Sequence, residues 1–393
     1  MIARLAVLAV LIAGSLAPAQ AAEKQVFDFA YLYREGDPAY ERTRAYTGLR
    51  LRDRSRPLDG ARLARKESGI LGRALGLKFG LREEALTAEE AAATKVTDLI
   101  AGGVRVFLLD LPYDDVAALG RALAGREVLL FNIRHGADSL RGEACSPVLF
   151  HTLPSDAMLM DGLAQFLVKR NWREVLMLVG EREADKTLAR AFEAAARKFG
   201  LEISDSRDFI LSNDPRERDQ NNLALLTGGV GYDVVFLADS LGEVGRFLPY
   251  QTLDPRPVIG GEGLLAGAWH WTWERHGAPQ LNQRFDKLAG RRMNGEDWAA
   301  WAAVKVVVEA IARTERTAIP ELYAYLRGDR LTFDSYKGVP GSFRPWDNQL
   351  RQAVLLHTHN AVIARAPLEG FLHERNSLDS LGQDKGDSAC RFP

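Results

Sequence analysis

"VRVFLLDLPYDDVAALGRALAGREVLLFN", Val104 to Asn132, reads as strand, helix, strand. Val104–Asp110 is a short, almost wholly apolar run of the kind buried on both faces of a parallel sheet. "DDVAALGRAL" follows as a short helix, and Glu127–Asn132 is apolar again. Parallel strands need such a crossover, so the stretch predicts an α/β fold. The same rhythm extends outward. Gln25–Leu32 reads as a strand, and "TAEEAAATKVTDLIAGG" as a helix with Ala92, Val96, Leu99 and Ile100 on one face and Thr87 and Glu90 spaced as a capping box.

Residues Ile133–Pro154, which hold Cys145, interrupt the pattern; then it restarts. "PSDAMLMDGLAQFLVKRNW" is a helix with Ser155 as N-cap, "REVLMLVG" a strand, and "EADKTLARAFEAAARKFG" a helix closed by Gly200. Tyr232–Asp239 and Arg256–Gly261 are further strands. Two doubly wound parallel-sheet units follow from this order. About 370 residues beyond the leader also exceed one comfortable core. "LTFDSYKG", "GSFRPWD" and "RQAVLLHTH" read as antiparallel strands, and the tail from Asn376 as polar and loose apart from Cys390.

"MIARLAVLAVLIAGSLAPAQAAEK" has the form of a cleaved secretory signal: Arg4, an apolar run, then Ala19-Gln20-Ala21. We expect an exported, periplasmic chain without a membrane helix. In that compartment the two cysteines, Cys145 and Cys390, are expected to pair. The formal charge of −1 offers no basic surface for nucleic acid. No G-x-S-x-G, H-E-x-x-H, P-loop or paired C-x-x-C occurs, and no calcium loop. We therefore expect no enzyme, no catalytic residue, no metal site and no catalytic cofactor.

Open α/β sheets bind ligands beyond the carboxyl ends of their strands. The first strand delivers Tyr31, Tyr33 and Arg34 there; the next two deliver Asp110 with Tyr113, and Asn132 with Arg134. The last strand of the second unit delivers Glu262. "AWHWTW" places Trp269, Trp271 and Trp273 at alternate positions, hence on one face if the segment is a strand. Packing in a core and stacking against a flat ligand both explain such a row. Trp298 and Trp301 lie three apart on a helix and raise the same choice.

Taken together, "GGEGLLAG", "EDWAAWAAVKVV" and the two-lobe order of elements resemble the type I periplasmic solute-binding proteins of the branched-chain amino-acid class. The resemblance implies a Venus-flytrap of two lobes joined by three crossovers. Residues 1–21 would be the signal peptide. Lobe 1 would comprise 22–135 plus about 274–329, lobe 2 about 136–273 plus 330–375, and 376–393 a tail tied by Cys390. It also implies a monomer that delivers its solute to an ABC transporter permease. "LDLP", "NIRHGADSLRGEAC", "LFHTLPS" and "AWHWTWERHGAPQLNQRF" are similar to the subgroup associated with quinoprotein alcohol dehydrogenases. That similarity implies pyrroloquinoline quinone (PQQ) as the bound ligand, a planar fused tricycle with three carboxylates. Trp269, Trp271, Trp298 and Trp301 would then supply faces, and Arg134 and Arg34, with Tyr31, Tyr33 and Tyr113, donors. Another carboxylated or aromatic small molecule, or delivery of the cofactor to a dehydrogenase, remains open on these residues.

Overall fold

A computed structural model describes residues 25–41, 43–44, 50–52, 54–210 and 214–392. The expected signal peptide lies outside them. The first sheet is wholly parallel, in the order Leu77–Leu86, Gln25–Arg34, Val106–Asp110, Leu129–Asn132, Leu149–His151. Alternation along its strands feeds two cores. Phe29 and Tyr31 join one with the helices Leu58–Glu67 and Gly295–Thr314, while Ala30 and Leu32 join another with Ala92–Ala101 and Tyr113–Ala122. Burial on both faces is why the inner strands Val106–Asp110 and Leu129–Asn132 are continuous apolar runs.

The second sheet, also parallel, runs Val258–Gly260, Val234–Ala238, Glu174–Val179, Glu202–Asp208. Helices Asp156–Arg170 and Glu183–Phe199 cover one of its faces. Ser155 caps the first of these, accepting from the Met158 amide at 3.2 Å, and Gly200 closes the second at φ 67°. Both ends are as the sequence predicts.

The chain passes between the lobes three times. It crosses after Leu149–His151, after Leu265–Gly267, and between Leu350–Arg351 and Val354–His357. Two crossings run side by side, with Gln352 Nε2 donating to the Thr152 carbonyl at 2.8 Å. The C-terminal antiparallel strands are present as Phe333–Asp334, Pro340–Phe343 and Leu350–Arg351, with Val354–His357 and Val362–Ala366 in a separate small sheet.

Several expectations need correction. The boundary at residue 135 is too early, because Leu149–His151 completes the first sheet. The boundary at 330 is too early as well: Phe333, Phe343 and Leu350 pack into the first lobe's core. Thr87 and Glu90 do not form a capping box; the helix begins at Ala92, and Ala91 at its N-cap offers no side-chain acceptor. "AWHWTW" is not a strand. Leu265–Gly267 is, but the chain then turns, with the Trp273 amide donating to the His270 carbonyl at 3.0 Å. The three indoles therefore do not share a face. Nor is the tail loose: Asp379 is buried and accepts from Arg344 at 2.9 Å and Arg351 at 2.8 Å. Cys145 and Cys390 are joined by a disulfide across 245 residues.

Candidate functional site

Side chains at the carboxyl ends of the first sheet converge on Asp110. It is fully buried at the end of the central strand. Tyr31 donates to it at 2.7 Å, Arg56 at 2.9 Å, and Tyr40 through its hydroxyl; Arg134 stands 3.7 Å away. Burial raises the pKa of Asp110, and these donors only partly offset that. Asp37 shows the reverse balance: burial pushes it up, but hydrogen bonds from Arg134 and the Ala39 amide outweigh this and leave it lowered.

Planar groups alternate across the cluster. The Arg56 guanidinium lies 4.7 Å from the Tyr33 ring centroid and 4.3 Å from that of Tyr40, with Arg134 5.3 Å from Tyr40. Tyr33, Arg56, Tyr40 and Arg134 thus form a ladder of rings and guanidiniums. At its end a small cavity of about 30 Å³ is lined by Tyr40, Arg54, Ser55, Arg134, Asn294 and Glu296. Arg34 points elsewhere, to Asp115 at 2.7 Å and the Thr87 carbonyl at 2.6 Å. Asn132 pins the following turn: its Oδ1 accepts from the amides of Arg134 and His135 at 3.2 and 2.9 Å. Tyr113 shares a hydrogen bond with Ser139 at 2.8 Å.

In the second lobe Glu262 is half-buried and packs against Gly245, where a Cβ would stand 2.9 Å from its own. Asp239 is spent on its loop, accepting from the amides of Gly242, Val244 and Gly245 at 2.8–2.9 Å.

The tryptophans divide. Trp269, Trp298 and Trp301 are 3, 0 and 1 % exposed, so the expected aromatic wall is core. Each indole N–H finds an acceptor: Asn282 at 2.8 Å, the Ser335 carbonyl at 3.2 Å and Glu67 at 3.0 Å. Trp273 is core too and donates to the Tyr336 carbonyl at 2.9 Å. Trp271 stays half-exposed, with the Arg292 guanidinium 3.4 Å from its centroid. Under Trp298 lies Lys337, fully buried, its Nζ 3.5 Å from the ring centroid and 2.7 Å from Gln352 Oε1; burial alone drives its pKa far down.

Of these, Asp37, Tyr40, Arg54, Arg56, Arg292, Asn294 and Glu296 were not among the sequence candidates. They come from helix starts, a short 3-10 turn and the segments leading into helices rather than from strand ends. An arginine-dense "RDRSRP" just ahead of a helix was the one available signal.

The sequence profile described as periplasmic binding protein matches residues 58–360. The chain belongs to the periplasmic binding protein family. Solved structures agree in fold. A branched-chain amino acid ABC transporter periplasmic ligand-binding protein from Burkholderia xenovorans LB400 superposes with a TM-score of 0.71 at 13 % identity, covering 93 % of this chain and 99 % of that one. An ABC transporter substrate-binding protein from Sphaerobacter thermophilus gives 0.70 at 16 % identity, covering 87 % and 98 %. A solute-binding protein from Rhodopseudomonas palustris BisB5, in complex with 3,4-dihydroxybenzoic acid, gives 0.60 at 16 %, covering 85 % and 93 %. No curated protein sequence matches the chain. The fold is thus that of a type I periplasmic binding protein with two α/β lobes. Its family is one of binding proteins and not of enzymes. No helix among the described residues is long and apolar enough to cross a membrane.

Proposed function

We propose that this periplasmic binding protein is exported to the periplasm, captures a planar, carboxylate-bearing aromatic solute as a monomer, and passes it to an ABC transporter permease. PQQ is the ligand we assign. The observation that carries this reading is the ladder of Tyr33, Arg56, Tyr40 and Arg134 at the strand ends. An aliphatic amino acid needs a small polar site for its ammonium and carboxylate; a ladder of rings and guanidiniums extends naturally to another flat, anionic group. The fold accommodates both kinds of ligand: a Streptococcus pneumoniae relative was solved with isoleucine, and the Rhodopseudomonas palustris protein with an aromatic carboxylate. Tyr113, Arg134 and Glu262, which follow strands of the two lobes, would border the solute as the lobes close by a hinge at the crossovers.

Calorimetric titration of the purified protein, with indole fluorescence followed in parallel, tests this. One-to-one uptake of PQQ with leucine inert is the expected result. Uptake of leucine without PQQ overturns the ligand assignment.

A further inference from the structure

The arginines around the strand ends are mostly committed to carboxylates of the protein itself. Arg34 is held by Asp115, Arg56 by Asp110, Arg134 by Asp37 and Arg291 by Asp297. Arg54 faces Glu296 at 3.9 Å. A ligand carboxylate reaching any of these competes with an anion already in place. Arg292 differs. It is exposed, no carboxylate pairs with it among the described residues, and its guanidinium rests on the half-exposed Trp271.

Its position also matters. Trp271 lies on the second crossing, between the strand Leu265–Gly267 of one lobe and the helix Ala278–Ala289 of the other, and Asn282 Nδ2 anchors its carbonyl at 2.9 Å. Arg292 stands two residues before Asn294, which lines the small cavity with Tyr40 and Arg134. Two residues span at most about 7 Å, so the Arg292 backbone lies within that distance of Asn294 at the cavity's edge. Beside the Trp271 and Arg292 pair, His270 stacks on His357 at 4.2 Å, joining the crossing to a strand of the second lobe. Burial first, then the charges of His357, His359 and Arg292, push the His270 pKa down to about 4. At neutral pH that ring is uncharged, and Arg292 is the permanent cation of this corner.

We propose that Arg292, pre-oriented on the Trp271 ring, is the specificity-determining anchor for a carboxylate of the solute. The indole restricts the guanidinium before the ligand arrives, so less side-chain entropy is lost when its N–H groups take up a bidentate carboxylate. Aliphatic or neutral solutes gain nothing from it. This inference rests on the capture reading above and sharpens it to one pair of residues.

The test compares wild type, Arg292→Ala, Arg292→Lys and Trp271→Phe, with Arg313→Ala as a distant surface control. Each is titrated with PQQ and with its trimethyl ester. For the triacid, Arg292→Ala is expected to weaken binding by about ten- to a hundredfold. Lysine restores only part, because it lacks the planar fork. The ester should be indifferent to all four variants, and Trp271→Phe should remove a share of the quenching. Wild-type affinity for the triacid in Arg292→Ala overturns the anchor while leaving capture intact. If wild type takes up no PQQ, the ligand assignment falls instead, and 3,4-dihydroxybenzoate replaces it in the same series. Quenching then lost in both Arg292→Ala and Trp271→Phe upholds the anchor; no difference among the variants overturns it.

Discussion

Asp110 shows how much a single residue's surroundings matter. At the sequence level it is one acidic loop tip among many; in the structure it is the buried acceptor on which two tyrosines and an arginine converge. Spacing cannot reveal such convergence, because Tyr40, Arg56 and Asp110 belong to three separate segments. The histidines carry a test at this scale. Burial lowers His135 to about 4, with its Nε2 2.7 Å from the Leu111 carbonyl. A base depressed in the folded state stays neutral there while the unfolded chain binds its proton below about 6.5, so stability falls as pH falls from there toward 4. Asp156 and Asp297, both pushed up to about 6 by burial, act with the opposite sign, so the wild-type curve alone mixes the two effects. The difference between wild type and His135→Gln isolates the ring. Between pH 7 and pH 5, wild type should lose about 1–2 kcal/mol relative to the variant in urea unfolding, partial solvent screening included. Parallel curves would mean that the ring protonates freely when folded.

At the scale of elements, apolar period was a dependable guide where both faces of a strand are buried and a poor one elsewhere. Val106–Asp110 and Leu129–Asn132 were legible because every residue in them is buried. Leu77–Leu86 was not, since an edge strand with alternating exposure and two adjacent glutamates carries no apolar run. The tryptophan row misled for a related reason. Alternation puts the three indoles on one face only in a strand, and the chain turns at His270–Trp273 so that two of them reach separate partners in one core. The junction between the helices Leu58–Glu67 and Gly295–Thr314 is close enough to test. A Cβ on Gly60 would stand 2.0 Å from the Asp297 carbonyl oxygen, which is backbone and cannot swing aside. Gly60→Ala should cost about 1–3 kcal/mol through forced separation of the helices. A lower urea midpoint at unchanged slope is the expected signature; an unaltered midpoint would show that the helices part freely.

Across the whole molecule, the tail ties the lobes together. Near its start Arg344 and Arg351 hold Asp379, and the amide of Gly382 and Lys198 meet at Asp161 on a second-lobe helix; its end is bonded at Cys145 beside the first sheet. Closing so long a loop is worth about 2–5 kcal/mol on the chain-entropy account. Since those ion pairs persist without the bond, the Cys145→Ser/Cys390→Ser double variant should lose the lower part of that range. Thermal unfolding with and without reductant checks this: reductant should lower the midpoint of wild type and leave the variant unmoved.

The two-unit α/β order, the helix ends at Ser155 and Gly200, and the pairing of the cysteines were all determined by the sequence alone. Each rests on local chemistry or on a census: apolar runs, an N-cap acceptor, a glycine in the left-handed region, two cysteines in a chain expected from its first residues to be exported. Tertiary structure alone decided that Trp271 stays partly exposed while Trp269 and Trp273 enter the core, that Arg292 has no carboxylate partner among the described residues, and where the lobes divide. Those outcomes depend on partners brought together across long separations, as when Glu67 meets both Arg284 and Trp301. A charge or an indole is committed only when the fold supplies its neighbour, and no local pattern records that neighbour in advance.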